Sequence, residues 1–425
     1  MPYQTVKGTY DQLPSRLAQC EELEGIFRLF LDLYGYRLMK TPVIEYAGVF
    51  QKENDTSDMV TKEMFTFSMN EKDRLTLRPE GTAGIIRSVI ENKLYGKEEL
   101  PLKLAYIEEM FRHERPQKGR QRQFTQLGLE NIGVKSPLVD AEVIALGYSF
   151  IKALGLQGVK VLINTLGDSA SRLAYSEALR SHFASHLDEL CTDCQKRYEK
   201  NPLRILDCKI DHELEAVQNA PKLSNYLSEE SKGYFEKVLT YLDALEIPYQ
   251  IDEKLVRGLD YYTDTVFEVV STNPASGSQA TLFAGGRYDE LVKEMGGPEL
   301  SGIGFAMGEE RILLAMEAEG LLKEEPFETD CYLIDLTNGS PYVLKLATML
   351  RAEGYRTVLN VQPRSIKAQF KSADRVSAPY VLIIGEDEEK KETVQMRVSA
   401  TKEQKELAYG EVVDFLNKAW EEKDV

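Results

Sequence analysis

The sequence lacks the long apolar segments that a membrane protein needs. No uninterrupted apolar run in its 425 residues approaches the roughly 18 residues that cross a bilayer. The first residues, 1–7, also lack the apolar core of a secretory signal. Cysteine is scarce and odd in number, at five, which favours free thiols in a reducing compartment over a disulfide framework. These absences argue against a membrane protein and predict a cytoplasmic one.

Positive charge is also in short supply, since 52 Lys and Arg residues face 69 Asp and Glu residues and leave a net charge of −17. Whole-chain charge governs solubility and steering, whereas nucleic-acid binding depends on where the positive groups cluster. We therefore expect any RNA contact to be confined to local basic patches and to weaken steeply with salt. A composition with 43% hydrophobic and 28% charged residues is that of an ordinary globular protein, long enough for two or three domains.

The densest basic patch is the segment 111–124, which reads FRHERPQKGRQRQF. Its basic residues surround two turn-forming residues: Arg112, Arg115, Lys118, Arg120 and Arg122 lie around Pro116 and Gly119. The flanks 104–111 and 123–131 can form strands, so the pattern predicts a basic hairpin. Arginine offers a planar fork of donors that never deprotonates, and several such forks suit a polyphosphate. A nucleotide triphosphate site is the hypothesis, and a solvated charged face is the alternative that this segment alone leaves open.

Hydrophobic periodicity predicts the first elements of the chain. Apolar residues at spacings of three and four predict a helix over residues 14–34, with Pro14 in its first turn. Residues 36–45 turn extended and carry Pro42, which sheets tolerate mainly at edges. Similar patterns predict helices at 82–92, 140–154 and 309–317, and strands at 159–165 and 265–271.

Two later segments have a different character. Residues 167–245 are rich in helix formers and carry no catalytic constellation, so they predict an inserted helical module. Pro326 marks a boundary, after which strands and helices alternate, a pattern that predicts a parallel sheet with helices. The alternating elements are strands at 331–336, 356–361 and 380–384 and helices at 342–352 and 366–376.

The hairpin segment resembles the second signature motif of class II aminoacyl-tRNA synthetases, in the version found in the histidyl-tRNA synthetase family. Further motifs of that family follow in the expected order: 7–9 (KGT), 13–14 (LP), 41–45 (TPVIE), 77–82 (LRPEGT), 255–262 (LVRGLDYY), 284–289 (AGGRYD) and 302–311 (GIGFAMGEER). The RGLDYY block is particular to the histidine enzymes, and the resemblance covers nearly the whole chain.

The resemblance implies an α+β catalytic domain with an antiparallel sheet flanked by helices, formed by residues 1–166 and 246–325. It further implies that residues 167–245 are a helical insertion and that residues 327–425 are an α/β anticodon-binding domain. The first helix and strand would form a homodimer interface, although a helix packed on its own sheet is also open. In the last domain a group of basic residues could meet RNA or form a solvated face: Arg364, Lys367, Lys371 and Arg375.

The resemblance also implies roles for individual side chains. Glu80, Thr82 and Gln126 would hold the α-amino group of histidine, with helix capping as the alternative role of Thr82. The complete implied histidine site is Glu80, Thr82, Arg112, Gln126, Glu130, Arg257, Tyr261 and Tyr262, in which Glu130 and Tyr262 would contact the imidazole. The implied ATP site is Arg112, Glu114, Arg120, Phe124 and Arg311, in which Phe124 and Arg311 would sandwich the adenine.

Activation of an amino acid brings its carboxylate to the α-phosphate of ATP, so negative charge must be neutralised as the bond forms. Arg112 and Arg257 are the candidate catalytic residues, with a salt bridge to Asp260 as the structural alternative for Arg257. Glycines 302, 304 and 308 are expected to let the backbone approach a ligand closely.

The cysteines leave one alternative open. Cys191 and Cys194, with Cys208 and His212 downstream, have a spacing that could hold a tetrahedral zinc ion. Residues 201–209 (NPLRILDCK) are a run common in bacterial members of the family, which are not known as zinc proteins. Free or half-buried thiols are therefore the preferred interpretation, and no metal ligands are predicted.

The function that the resemblance implies is that of a histidine-tRNA ligase that uses ATP with Mg²⁺, acts on tRNA(His) and forms a homodimer. The alternative is a catalytically inactive, synthetase-like regulatory subunit of ATP phosphoribosyltransferase, which tends to lose catalytic positions and the C-terminal domain. Arg112, Arg257 and Arg311 are intact here and residues 327–425 are present, so the enzyme is preferred.

Overall fold

The computed structural model describes residues 3–51, 58–70, 73–206, 208, 210–257, 261–274, 280–322, 329–337, 339–362 and 364–421. The chain divides into two compact units, Met1–Leu322 and Lys323–Val425. Pro326, the expected boundary, and Asp260, the alternative partner of Arg257, lie outside the described residues.

Two sheets form the framework of the larger unit. Its strands are β1 Arg37–Leu38, β2 Ile44–Tyr46, β3 Thr66–Ser68, β4 Arg74–Leu77, β5 Leu102–Phe111, β6 Gln123–Ile132, β7 Val159–Thr165, β8 Tyr249–Ile251, β9 Thr263–Ser271, β10 Thr281–Tyr288 and β11 Gly302–Gly308. The main sheet has the order β1-β5-β6-β11-β10-β9-β7-β8, and a small sheet has the order β2-β4-β3. The six inner strands, from β5 to β7 in this sheet order, all pair antiparallel, which confirms the prediction. The edge strands β1 and β8 run parallel to their neighbours. The main sheet is therefore mixed.

Helices flank this sheet. They are α1 Pro14–Tyr34, α2 Asp58–Lys62, α3 Thr82–Glu91, α4 Pro137–Ala153, α5 Ser169–Phe183, α6 Thr192–Lys200, α7 Glu215–Gln218, α8 Glu229–Ala244, α9 Leu291–Glu294 and α10 Glu309–Ala318. The described residues between β7 and β8 hold α5 to α8 and no strand, which agrees with the helical composition of this segment. None of the helices in the described ranges is long and apolar enough to span a bilayer.

Helix α1 buries some of its apolar residues and exposes others. It begins at Pro14 and ends before Gly35, whose φ of 75° suits a residue without a side chain. One face packs inside the chain, where the Phe27 ring lies 5.2 Å from the Phe150 ring of α4. Three leucines of the helix lie outside this packed face: Leu17, Leu29 and Leu33 are 41%, 56% and 70% exposed. The helix therefore does pack on its own domain, and it also leaves apolar surface uncovered.

The extended segment predicted at 36–45 is divided between the two sheets. At the division, the backbone N–H and the hydroxyl of Thr41 donate to the Glu108 carboxylate at 2.8 and 3.1 Å. Arg78 forms a buried ion pair with the same carboxylate at 2.8 Å. The next residue, Pro42, has no N–H and cannot continue a strand ladder. The chain therefore leaves β1 and resumes as β2 in the small sheet.

The smaller unit contains a five-stranded sheet. Its elements are β12 Cys331–Asp335, α11 Pro341–Ala352, β13 Thr357–Leu359, α12 Ile366–Arg375, β14 Tyr380–Ile384, α13 Glu386–Lys391, β15 Thr393–Val398, β16 Gln404–Ala408 and α14 Tyr409–Glu421. The sheet order is β13-β12-β14-β15-β16. The parallel α/β prediction is confirmed for the first three strands, while the antiparallel hairpin of β15 and β16 was not predicted.

A buried ion pair joins the main sheet to α4. Arg287 of β10 and Asp140 of α4 both have fully buried side chains and form a salt bridge. Nε of Arg287 lies 3.1 Å from Oδ1 of Asp140, and Nη1 also donates to the carbonyl of Val134 at 3.4 Å. Two buried charges are tolerated only while each compensates the other. Arg287 therefore has a structural role that depends on its pairing with Asp140.

Replacing Arg287 with alanine should destabilise the fold by about 3–5 kcal/mol, because Asp140 would remain as an uncompensated buried charge. Urea unfolding at neutral pH measures the difference. Arg37→Ala is the matched control, since Arg37 pairs with Glu98 at the surface with 71% of its side chain exposed, and its loss should cost about 0–1 kcal/mol. Equal losses for the two variants would contradict the assigned role of the buried pair.

Candidate active site

A cavity of about 290 Å³ is lined by residues of β6, β9, β10 and β11 together with the loop that joins β5 to β6. Every side chain that the resemblance placed in the site lines this one cavity: Glu80, Thr82, Arg112, Glu114, Arg120, Phe124, Gln126, Glu130, Arg257, Tyr261, Tyr262 and Arg311. These residues come from distant parts of the sequence, and the sheet brings them together.

The hairpin predicted around the basic segment is formed by β5 and β6, which pair antiparallel up to Phe111 and Gln123. Gly119 turns the connecting loop with φ 74°, beside a short bridge between Gln117 and Arg120. Of the loop's basic side chains, only Arg112 and Arg120 line the cavity. The remaining ones, Arg115, Lys118 and Arg122, are not among its lining residues. The basic hairpin is therefore confirmed, but less than half of its positive charge faces the site.

Two arginines from other segments, Arg257 and Arg311, also line the cavity. Arg257 forms an ion pair with Glu268 of β9 and lies 5.8 Å from the centre of the Tyr262 ring. Arg311 of α10 donates from Nε to the carbonyl of Gly119 at 3.2 Å. Burial, and then the like charges of Arg120 and Arg112, lower the pKa of Arg311. This crowding of cations is unfavourable in the free protein, and an anionic ligand would relieve it.

The aromatic ring of Phe124 is already covered on one side. The guanidinium of Arg112 lies 5.1 Å from the ring centre, and its Nε donates to the carbonyl of Pro79 at 2.8 Å. The resemblance had placed Arg311, not Arg112, opposite this ring across an adenine. The guanidinium that contacts this ring in the structure is therefore that of Arg112.

Glu80, rather than Thr82, caps the start of α3. The Glu80 carboxylate accepts from the backbone N–H groups of Thr82 and Ala83 at 2.7 and 2.8 Å. The Thr82 hydroxyl instead donates to the Glu130 carboxylate at 2.7 Å. Burial raises the pKa of Glu80, although its two oxygens retain lone pairs that an ammonium group could use.

Glu130 is a carboxyl group held almost without solvent contact, with 1% of the residue exposed. Besides Thr82, it accepts a hydrogen bond from the Tyr288 hydroxyl. Burial raises the pKa of Glu130 to about 8, although both hydrogen bonds act in the opposite direction. A side chain at Gly304 would place its Cβ 2.0 Å from Oε2 of Glu130, so only glycine fits there.

Two of the glycines expected to let the backbone approach a ligand, at 302, 304 and 308, also have a role in packing. Gly304 makes room for Glu130, and a Cβ at Gly302 would lie 2.2 Å from the Tyr288 ring. At Gly308 the nearest side-chain atom is 3.7 Å away, in Arg311, so this position retains some space.

Three buried polar atoms in the cavity lack hydrogen-bond partners among the described residues. Among the described residues, Arg120 Nε, Gln126 Oε1 and Arg257 Nε are buried and have no hydrogen-bond partner. Most buried polar groups in proteins are paired, so an unpaired set in one cavity requires an explanation. A ligand with both acceptors and donors would satisfy all three atoms.

Five polar lining residues were not among the predicted site residues. They are Gln121, Glu268, Thr281, Tyr288 and Glu310. Glu268 was detectable in principle, because it is a charged residue between the apolar residues Phe267 and Val269 of a mostly buried strand. Glu310 accepts from the backbone N–H of Thr125 at 3.0 Å, a contact across 185 residues that no local pattern could reveal.

The antiparallel core sheet, the arginine-bearing hairpin and the carboxylates at the base of the cavity are the features of a class II aminoacyl-tRNA synthetase. The sequence profile of the histidyl-tRNA synthetase family matches residues 8–312, and that of an anticodon binding domain matches residues 330–419. The chain belongs to the histidyl-tRNA synthetase family.

Individual relatives agree with this membership. The chain is 47% identical over 412 residues to a histidine–tRNA ligase of Bacillus cytotoxicus, covering 96% of this chain and 97% of the relative. It is similar to the structure of apo histidyl-tRNA synthetase from S. aureus, with 37% identity, a TM-score of 0.83 and coverage of 97% and 99%. A structure from Bacillus halodurans, described as an ATP phosphoribosyltransferase regulatory subunit/histidyl-tRNA synthetase, has 25% identity, a TM-score of 0.59 and coverage of 88% and 97%.

Glu130→Gln should change how stability depends on pH. Because the folded protein holds the Glu130 proton more tightly than the unfolded chain, the group stabilises the fold below pH 4.5 and loses this contribution as the pH rises to about 8. Glutamine does not titrate, so the variant should gain about 3 kcal/mol relative to the unmutated protein between about pH 5 and pH 8. Urea unfolding of both proteins at each pH measures the gain.

Glu109→Gln is the matched control for this measurement, because Glu109 is an exposed carboxylate on β5. Its stability difference from the unmutated protein should be the same at both pH values. If Glu130→Gln and the unmutated protein showed parallel pH curves, the buried carboxyl would not be the proton-holding group.

Proposed function

We propose that this chain activates histidine with ATP and transfers it to the 3′ end of tRNA(His). The observation that carries the proposal is the set of buried, unpaired polar atoms of Arg120, Gln126 and Arg257 in one arginine-rich cavity. That set fits a ligand with several anionic oxygens next to an amine, as histidine and ATP together provide. Family membership makes histidine the amino acid of choice.

Histidine would lie against the deepest part of the cavity. Its ammonium group would meet the Glu80 carboxylate, the Thr82 hydroxyl and the unpaired Oε1 of Gln126. Its imidazole would reach Glu130 and Tyr262, with Tyr261 packed at 4.7 Å from the Tyr262 ring. A pocket that hydrogen-bonds a polar ring rejects analogues that leave its own groups unpaired, by roughly 10⁴-fold or more.

ATP would occupy the arginine-rich side of the cavity. Arg112, Arg120 and Arg311 would neutralise the phosphates, and Phe124 and Arg311 would enclose the adenine. Mg²⁺ prefers oxygen ligands, and the carboxylates of Glu114 and Glu268 in the same cavity fit that preference. Bound there with ATP, the ion would supply further neutralisation of phosphate charge.

In the first step, a carboxylate oxygen of histidine forms a bond to the α-phosphorus while the bond to the bridging oxygen of the β-phosphate breaks. Histidyl-adenylate and pyrophosphate are the products. Arg112 and Arg257 would stabilise the charge that accumulates on the α-phosphate oxygens. In the second step, a terminal ribose hydroxyl of the tRNA attacks the adenylate carbonyl and AMP leaves.

Other parts of the chain would serve the tRNA and the partner subunit. The side chains of Arg364, Lys367, Lys371 and Arg375, all exposed on or before α12, would contact the anticodon arm. The exposed leucines of α1 and the extended segment 36–45 would form a homodimer interface. We also propose that the protein acts in the cytoplasm.

A regulatory subunit without ligase activity is the second candidate, because the fold is shared with the Bacillus halodurans protein named above. Pyrophosphate exchange measured with each of the twenty amino acids separates the two. Exchange with histidine alone is the expected result. Exchange with another amino acid would contradict the substrate, and no exchange at all would favour the regulatory function.

Arg257→Ala should slow the formation of histidyl-adenylate by roughly 10²–10³-fold, the usual loss for one preorganised donor. Binding of histidine and ATP should change less, since the contact strengthens only in the transition state. Arg257→Lys should rescue in part, because lysine supplies charge without a fork. Single-turnover adenylation measures the rate. Lys254→Ala is the control, since Lys254 is a nearby exposed cation that donates to Gln218 at 2.6 Å.

The ion pair between Arg257 and Glu268 offers a competing explanation, in which the arginine only neutralises its neighbour. The double variant Arg257→Ala/Glu268→Gln tests it, because no unpaired carboxylate remains. Adenylation that is much slower in the double variant than in Glu268→Gln alone supports contact of Arg257 with the substrates. Equal rates in these two variants would show that Arg257 is a structural partner of Glu268.

A further inference from the structure

A second cluster of reactive side chains lies in the helical segment between β7 and β8. One ligand atom each from Cys191, Cys194, Cys208 and Asp211 all lie within 4.8 Å of one another. The chain supplies them as two pairs, each separated by two residues, one at the start of α6 and one after the turn at residues 202–205. Two such pairs from separate segments are the arrangement of structural zinc sites.

The spacing of the sulfur atoms matches a tetrahedral ion. A Zn–S bond of about 2.3 Å places two sulfurs on a tetrahedron about 3.8 Å apart. The Sγ atoms of Cys191 and Cys208 are separated by 3.8 Å, well beyond the roughly 2.0 Å of a disulfide. Shifts of under about 1 Å would bring the remaining atoms to the same spacing.

Backbone hydrogen bonds already orient two of these atoms. The N–H of Asp211 points to Sγ of Cys208 at 3.4 Å, and the N–H of Cys191 donates to Oδ2 of Asp211 at 3.0 Å. Donors of this kind behind metal ligands hold them in place and stabilise their negative charge. These hydrogen bonds therefore help to hold the Cys208 sulfur and the Asp211 carboxylate in position.

The burial of these groups favours a bound cation. Asp211 is 2% exposed, and Cys194 and Cys208 are 0% and 5% exposed within an apolar cluster. Within the described part of the chain, no Lys, Arg or His nitrogen forms an ion pair with Asp211. A buried carboxylate without a cation is costly, and a metal ion is the usual remedy.

We propose that Cys191, Cys194, Cys208 and Asp211 bind one Zn²⁺ ion, which fastens the start of α6 to the segment after residue 205. The fourth ligand is Asp211 and not His212, which the sequence spacing had offered. The His212 side chain is 57% exposed and lies 3.8 Å from Glu213. The cluster that contains these cysteines also contains Tyr262, so the ion stabilises the packing directly behind the active site.

Metal analysis of the full-length protein tests the proposal without relying on activity. Protein purified without chelators should contain about one zinc ion per chain, and a thiol-blocking mercurial should release it to a colorimetric chelator. Replacement by Co²⁺ should give thiolate charge-transfer bands and the intense visible bands of a tetrahedral ion. Zinc-free protein that also fails to develop these bands with Co²⁺ would overturn the site, as would a Cys191–Cys208 disulfide in its place.

Variants then assign the ligands. Cys194→Ser should abolish Co²⁺ binding, whereas Cys20→Ser, a change at a buried cysteine of α1, should leave it intact. Asp211→Ala should weaken Co²⁺ binding by at least about 10-fold, a loss that even residues behind a ligand can cause. His212→Ala should not weaken it. If His212→Ala weakened Co²⁺ binding and Asp211→Ala did not, the choice of Asp211 as the fourth ligand would be wrong. The cobalt spectrum of the unmutated protein remains decisive if Cys194→Ser does not fold.

Discussion

The pairing of β6 between β5 and β11 is the constraint on which the site depends. Side chains alternate along a strand, so positions 124, 126, 128 and 130 of β6 share one face. Phe124, Gln126 and Glu130 line the cavity from that face. Between them, Gly128 leaves space for the ring of Tyr106, and opposite Glu130 the register places Gly304. A register slip of one residue would turn this whole row away from the cavity.

Within this frame the cavity buries ionisable groups whose charged forms are unfavourable there. Glu80 and Glu130 are buried carboxyls whose pKa values are raised, and Arg311 is a buried cation beside other cations. The fold tolerates them because its apolar core provides stability elsewhere. Ligands that carry an ammonium group and several phosphates would complement both kinds of excess. The same groups that destabilise the free protein would thereby provide selective binding.

The helical segment between β7 and β8 is connected to the site through packing. Its apolar cluster extends from Leu179 and Cys194 to Tyr262 and Val266. Nη1 of Arg204 also lies 3.5 Å from the carbonyl oxygen of Arg257. The described residues of this segment contribute no side chain to the cavity, but they support the loop that carries Arg257 from behind. Order in this segment and geometry in the cavity are linked for that reason.

The sequence by itself determined the features that depend on neighbouring residues. Periodicity was sufficient for α1, for the β5–β6 hairpin and for the alternating elements of the second unit, because each of these arises from local patterns. The family motifs identified in advance the site residues that the sheet brings to one cavity. The roles of these individual residues remain predictions, since sharing a cavity does not establish what each side chain binds.

Only the tertiary structure decided which distant groups meet. It pairs Arg257 with Glu268, turns Arg287 inward to Asp140, and brings Asp211 rather than His212 to the cysteines. It also makes the two edge strands of the main sheet parallel. Contacts between segments far apart in the chain depend on how the sheet folds them together, and local spacing carries no information about that geometry.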